Sequence, residues 1–241
     1  DADNVLYLIG QKFGTIRLEA RTWAINAWLP GAVARRFATS RIVAWSSGNV
    51  YPLWPADGDG PSEIKPTGPV GEYAQSVLGR ERIFEYFSDR QQTPMAFLRL
   101  NYAVEPRYGV LRDIADKVWG GEPVDLRMGY VNVIWQRDAN AIALRALEHC
   151  AVPPLVLNVS GPKVSVRAVA EGFAERFGKA VMFSGEPAAT ALLSNAARCT
   201  ATFGMPPVGI EEMLDRVAAW VAAGGRSLDK PTHFQERGGR F

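Results

Sequence analysis

Tyr73 stands near the start of the stretch GEYAQSVLGRERIFEYF, Gly71 to Phe87, downstream of an apolar run that ends in Ser46-Ser47. A tyrosine so placed can move the proton of an alcohol while hydride leaves the same carbon. The tyrosinate accepts the proton, and the neutral tyrosine returns it to a ketone. A serine hydroxyl beside it can hydrogen-bond the substrate oxygen. A phenol with its ordinary pKa of about 10 needs a nearby cation for this work. A lysine one helical turn later would serve, but that position is Val77. Arg80 lies on the same helix face as Tyr73, about 10 Å along the axis at ~1.5 Å per residue. It reads either as a substitute cation or as a helix charge held by Glu81 and Glu85. Tyr73 also has a second reading, as a half-buried tyrosine whose hydroxyl is satisfied by the fold.

The elements that must position these residues alternate between strand and helix. VLYLI, Val5 to Ile9, is continuously apolar, as a parallel strand buried on both faces should be. A helical stretch from about Leu18 to Phe37 follows, with Pro30 kinking it. RIVAW, Arg41 to Trp45, is the next strand, and Pro52–Pro69 reads as a surface loop rich in Pro, Gly and Asp. A helix over Gly71–Ser88 and a strand over Met95–Leu100 come next. Beyond them the signals are shorter: a helix at Val110–Trp119, strands at Asp125–Met128 and Val131–Ile134, and a helix at Asp138–Cys150. A strand at Leu155–Asn158 and helices at Ser165–Phe177, Ser194–Phe203 and Ile210–Ala223 precede a polar tail. This order indicates an α/β fold with a largely parallel sheet and helices on both faces. Residues 1–104 are expected to carry most of the sheet. Residues 105–241 are expected to form a smaller C-terminal lobe, interleaved with the last sheet strand. A buried strand at the very start of the chain needs a neighbour on each side, so a fragment lacking its first strands is expected.

Composition narrows the function. The chain has 241 residues, 47% hydrophobic and 22% charged, which is a globular balance. A net charge of +2 gives no electrostatic reason to expect nucleic acid as a partner. No apolar run approaches the ~20 residues of a membrane span. Two histidines, and two cysteines without a CxxC, give no zinc-ligand pattern, and no metal is expected. Cys150 and Cys199 read as buried thiols in a reducing cytoplasm. Ligands of open parallel sheets bind beyond the carboxyl ends of the strands, where Gly10, Ser46-Ser47-Gly48 and Tyr73 converge.

RIVAWSSGNVYP, the loop containing Glu63, and PVGEYAQS together resemble the extended short-chain dehydrogenase/reductase superfamily, and within it the NAD(P)-dependent epimerase/dehydratase family. VLYLIG, TWAINAWLP, LRLNYAVEP, VNVIWQRDANAIALRAL, NVSGPKVSVRAVAEGFAERFG and IEEMLDRVAAWV fit in the same order. The resemblance spans nearly the whole chain. It implies an incomplete Rossmann-like sheet with a substrate lobe, NAD or NADP as cofactor, and a sugar-like small-molecule substrate. It implies Tyr73 as acid/base, Ser47 orienting the substrate hydroxyl, and Asn26 organising a proton relay. Gly10, Tyr73 and Asn101 would lie along the cofactor. A homodimer through the helices at about 18–37 and 71–88 is also implied.

The departures are specific. The glycine-rich phosphate loop of that family belongs upstream of Asp1. At the exit of Met95–Leu100, Tyr102 occupies the usual asparagine position, with Asn101 one place earlier, and Glu105 replaces a glycine. With Val77 in the lysine position, two readings stand. One is an epimerase, dehydratase or reductase present here as a fragment. The other is a binding protein that kept the fold and lost the base pair. In the first reading, Val77→Lys is expected to restore the missing electrostatic help.

Overall fold

A computed structural model describes residues 2–12 and 17–240; Asp1 and Phe241, where the sequence reading begins and ends, lie outside them. Four parallel strands form the main sheet in the order β1 (Asn4–Tyr7), β2 (Arg41–Ser47), β3 (Met95–Leu100) and β4 (Leu155–Val159). The register aligns Val5 with Ile42, Val43 with Ala96, and Leu98 with Leu157. Among the described residues β1 pairs with β2 alone, so the neighbour expected on its other side is not seen. Leu8 and Ile9, read as strand, lie beyond β1 and are exposed.

Side chains alternate across the sheet, as the two-residue period of a strand requires. Ile42, Ala44, Met95 and Phe97 face one side and meet Ala34 and Phe84. Val43, Ala96, Leu98 and Leu157 face the other and meet Ile142, Ala146 and Phe203. The first side is covered by α1 (Glu19–Trp23), α2 (Leu29–Arg36) and α3 (Gly71–Gln91), and the second by α5 (Gln136–Ala146) and α7 (Ala197–Phe203). A separate core gathers α4 (Val110–Gly120), α6 (Val166–Phe177) and α8 (Ile210–Ala222) with short strands around Val124 and Val131. The fourth sheet strand thus returns from within the stretch that builds this second lobe.

Pro30 does more than kink its helix. Between α1 and α2 the backbone forms a π-turn over Ala24–Trp28. Pro30 lacks the N–H that would close onto the Asn26 carbonyl four residues back, and π-turns of this kind recur at functional sites. The loop after β2 is also less irregular than its composition suggests: Trp54–Pro55 pairs antiparallel with Thr190–Ala191. No described helix is long and apolar enough to cross a membrane.

Candidate active site

Three strand ends and the N-terminus of α3 meet at one cavity of about 190 Å³. Ser46 and Ser47 enter it from the end of β2, Asn101 from the end of β3, Tyr73 from the first turn of α3, and Lys12 from the chain beyond β1. Ser47 and Tyr73, separated by a long loop in sequence, are brought together in the lining of that cavity. The Ser47 oxygen also caps the turn that follows, accepting from the Asn49 N–H at 3.2 Å and donating to Asn49 Oδ1 at 2.9 Å. Burial pushes the Tyr73 phenol above its ordinary pKa, while the Arg80 charge and the nearby Ser47 hydroxyl act in the opposite direction.

Arg80 is buried, at 5% exposure, and is not held by Glu81 or Glu85. A helical side chain leans toward the helix N-terminus, which carries the Arg80 head back toward the sheet ends. Nη1 donates to the Trp45 carbonyl at 2.7 Å and Nη2 to Asn26 Oδ1 at 2.9 Å, while Nε donates at 3.4 Å to the Asn26 carbonyl opposite Pro30. The guanidinium also stands 5.5 Å from the centre of the Tyr7 ring. Burial lowers its pKa, and the neighbouring Tyr73, Tyr7 and Glu81 work against that shift. Glu81 is engaged elsewhere, in a buried pair with Arg99 at 2.7 Å, and also accepts from the Ser46 hydroxyl. Glu85 pairs with Arg82 on the surface.

Asn26 is fully buried in the π-turn, and all four of its side-chain hydrogen-bonding positions are used. Nδ2 donates to the Gln11 carbonyl and to Ser76 Oγ, both at 2.9 Å, and Oδ1 accepts from the Gln11 N–H at 2.8 Å as well as from Arg80. Ser76 Oγ passes the connection to the Tyr73 carbonyl at 2.8 Å. Gly10 lies at this junction: a Cβ there would fall 2.7 Å from Arg80 Nη2. Asn101 is 3% exposed and donates to the Leu192 carbonyl at 3.3 Å. Val77 is fully buried against Val50 and Tyr51, in an apolar cluster that Tyr73 also packs against.

Lys12 escaped the sequence reading. Its Nζ stands 6.0 Å from the Tyr73 ring centre. Burial pushes its pKa down to about 8, against the pull of Asp113. The signal that could have found it was its place just after Gly10, at a strand exit where ligands bind. Thr232, His233 and Glu236 of the polar tail also line the cavity, and no local pattern marked them.

The sequence matches no family profile and no curated protein. Solved structures do match in fold. MoeE5 in complex with UDP-glucose and NAD superposes with a TM-score of 0.76 at 18% identity, over 92% of this chain and 80% of that one. UDP-glucuronic acid 4-epimerase from Bacillus cereus in complex with NAD gives 0.77 at 16%, over 92% and 73%. RMD from Pseudomonas aeruginosa complexed with NADPH gives 0.77 at 21%, over 92% and 82%. The chain therefore has the Rossmann-like α/β fold that these structures share.

Proposed function

We propose that this fold works here as an NAD- or NADP-dependent enzyme that moves hydride to or from a hydroxyl- or keto-bearing carbon of a sugar-like substrate. The observation that carries the reading is the convergence of Ser47 and Tyr73 on one cavity at the sheet ends, near two cationic side chains. Tyr73 holds the proton that the substrate oxygen gives up or regains. Ser47 positions that oxygen, so that the phenol and the reacting carbon face the same oxygen atom. Arg80 and Lys12 take the place of a lysine at position 77, because a nearby positive charge favours the tyrosinate. Asn26 holds Arg80 and the chain after Gly10 in place, so its role is to organise the cations rather than to touch the substrate.

The cofactor would supply the hydride acceptor or donor. One feature fits such a group: Gln11 Oε1 is buried without a hydrogen-bond partner among the described residues, an acceptor suited to an amide or ribose donor. Gly10, Tyr73 and Asn101 would lie along the same group. The binding-protein reading is favoured by a different observation, the complete burial of Val77 where a lysine would stand. The two separate on Tyr73→Phe in full-length protein, followed by NAD(P)H absorbance over a panel of free sugars, polyols and sugar nucleotides. We expect nearly all turnover to vanish with cofactor affinity little changed, and Ser47→Ala to lose less, within the ~10²–10⁴-fold typical of acid–base groups. Equal turnover in wild type and Tyr73→Phe would remove Tyr73 from the mechanism, and a wild type silent on every compound favours the binding protein.

A further inference from the structure

Beyond α8 the chain doubles back over the cavity and is tied down at three places. Thr232 is buried and donates from its N–H and Oγ1 to Asp113 Oδ2 on α4, at 2.7 and 2.5 Å. Phe234 is packed into the core of the second lobe. Arg237 donates from Nη1 to the Thr190 carbonyl at 2.7 Å and from Nη2 to Thr190 Oγ1 at 2.6 Å. Gly239, with φ at +72°, lies so close to the entry of the Tyr73 helix that a Cβ there would fall 2.2 Å from the Val70 carbonyl oxygen. The segment therefore bridges the second lobe and the helix that carries Tyr73.

Between these ties the tail becomes cavity wall. His233, Phe234 and Glu236 face the same space as Ser47 and Tyr73. Past Asn49, Glu236, Arg237 and Gly239 close on Tyr51 and Leu53 and leave about 20 Å³. The cavity itself is about 190 Å³. Pockets that bury a drug-sized ligand run to ~300–1,000 Å³, and a nucleoside diphosphate sugar is at least that large.

We propose that Thr232–Gly239 is the specificity wall of this site: it admits a compact hydroxyl compound of free-sugar or cyclitol size and excludes substrates carried on a nucleoside diphosphate. The substrate role rests on the hydride-transfer reading, whereas the size limit rests on the tail alone. Lys12, Asn49, His233 and Glu236 give such a compound both donors and acceptors for its hydroxyls, while Phe234 and Leu192 supply apolar wall.

The test is calorimetric titration of UDP-glucose into the full-length protein, into Arg237→Ala and into Thr190→Val, which weaken the same tie from its two sides. Each is first checked for a cooperative melt. The variants should bind UDP-glucose at least ~10-fold more tightly than wild type, which is the ratio of their dissociation constants. Amide exchange over residues 232–239 should quicken in both. Wild type that binds UDP-glucose as tightly as the variants overturns the proposal, and so do variants that gain nothing. Turnover of glucose, xylose and myo-inositol is followed in parallel. Silence there, with the gain in UDP-glucose binding intact, strikes the hydride-transfer reading and leaves the wall in place.

Discussion

At the scale of single residues, two cations from different places, Arg80 and Lys12, stand near Tyr73. Arg80 is locked by Asn26 and the Trp45 carbonyl, so its charge is fixed relative to Tyr73. Arg80→Met should raise the pH at which kcat/KM for alcohol oxidation reaches half its maximum, because tyrosinate then forms without that charge. Gly10→Ala should do the same in milder form, since its methyl group would occupy space within 2.7 Å of the guanidinium. A pH–rate profile identical to wild type in both variants would exclude Arg80 as the cation. Lys12 carries its own pH signature. The native amine loses its proton at about 8, below its ordinary value of 10.5. Between those values the unfolded chain binds more protons, so this residue makes stability rise with pH across that window and adds no slope well below it. Lys12→Met should abolish that rise in urea melts compared at pH 7 and pH 9.5, and should also remove any inflection near pH 8 from the rate profile. Asp113, Tyr108, His233 and Glu236 surround the same space, so the comparison with Lys12→Met is what assigns the inflection.

At the scale of elements, α3 is organised by what its buried stripe must satisfy. Ala74, Val77, Glu81, Phe84 and Ser88 follow the three- and four-residue spacing of a packed helix face. Glu81 on that stripe meets Arg99 of β3, whose Nη1 also donates to the Tyr51 hydroxyl at 2.7 Å. Both charges are nearly inaccessible, with side-chain exposures of 6% for Arg99 and 3% for Glu81. Arg99→Met should therefore destabilise the protein by about 3–5 kcal/mol, because it leaves the Glu81 carboxylate buried without its partner. The double change Glu81→Gln/Arg99→Met should cost less than the two single changes summed, in urea melts of all four proteins. Val77 sits on the same stripe against Val50 and Tyr51, which reverses the expectation attached to it. A lysine there would bring an ammonium into an apolar cluster, so Val77→Lys should lower the melting temperature steeply instead of improving the pH profile. A Val77→Lys protein as stable as wild type, with a lower pH optimum, would refute this packing argument.

At the scale of the whole molecule, the sheet domain and the second lobe are joined by more than the chain that passes between them. The Trp54–Pro55 and Thr190–Ala191 pairing and the C-terminal tail connect them across the cavity. Helices α1, α2 and α3, with the π-turn between the first two, present an outer surface with exposed aromatic groups, including Trp28 at 67% and Tyr86 at 55%. We take this surface as the contact of the homodimer implied by the family resemblance. Trp28→Glu should then shift the sedimentation of the protein from dimer to monomer, and wild type that sediments as a monomer would remove the idea.

Much of this molecule was legible before folding was considered. Short, mostly apolar runs identified β2, β3 and β4, because strands buried on both faces are rich in apolar residues. Ser47 and Tyr73 were legible because they follow a strand and open a helix, the two places where a side chain reaches the end of a parallel sheet. Asn26 was legible only through resemblance, and its bonds to Gln11, Ser76 and Arg80 arise from a π-turn that depends on long-range packing. The partners of Arg80 could not be read locally. Spacing offered Glu81 and Glu85 one turn away, but burial against β2 and β3 gave Glu81 to Arg99 and aimed Arg80 at the Trp45 carbonyl. Lys12 and the tail residues needed the tertiary structure for the same reason. A charged or polar side chain carries no periodic signal of what it will face, and here that was decided by how β1, α3 and the second lobe closed around one cavity.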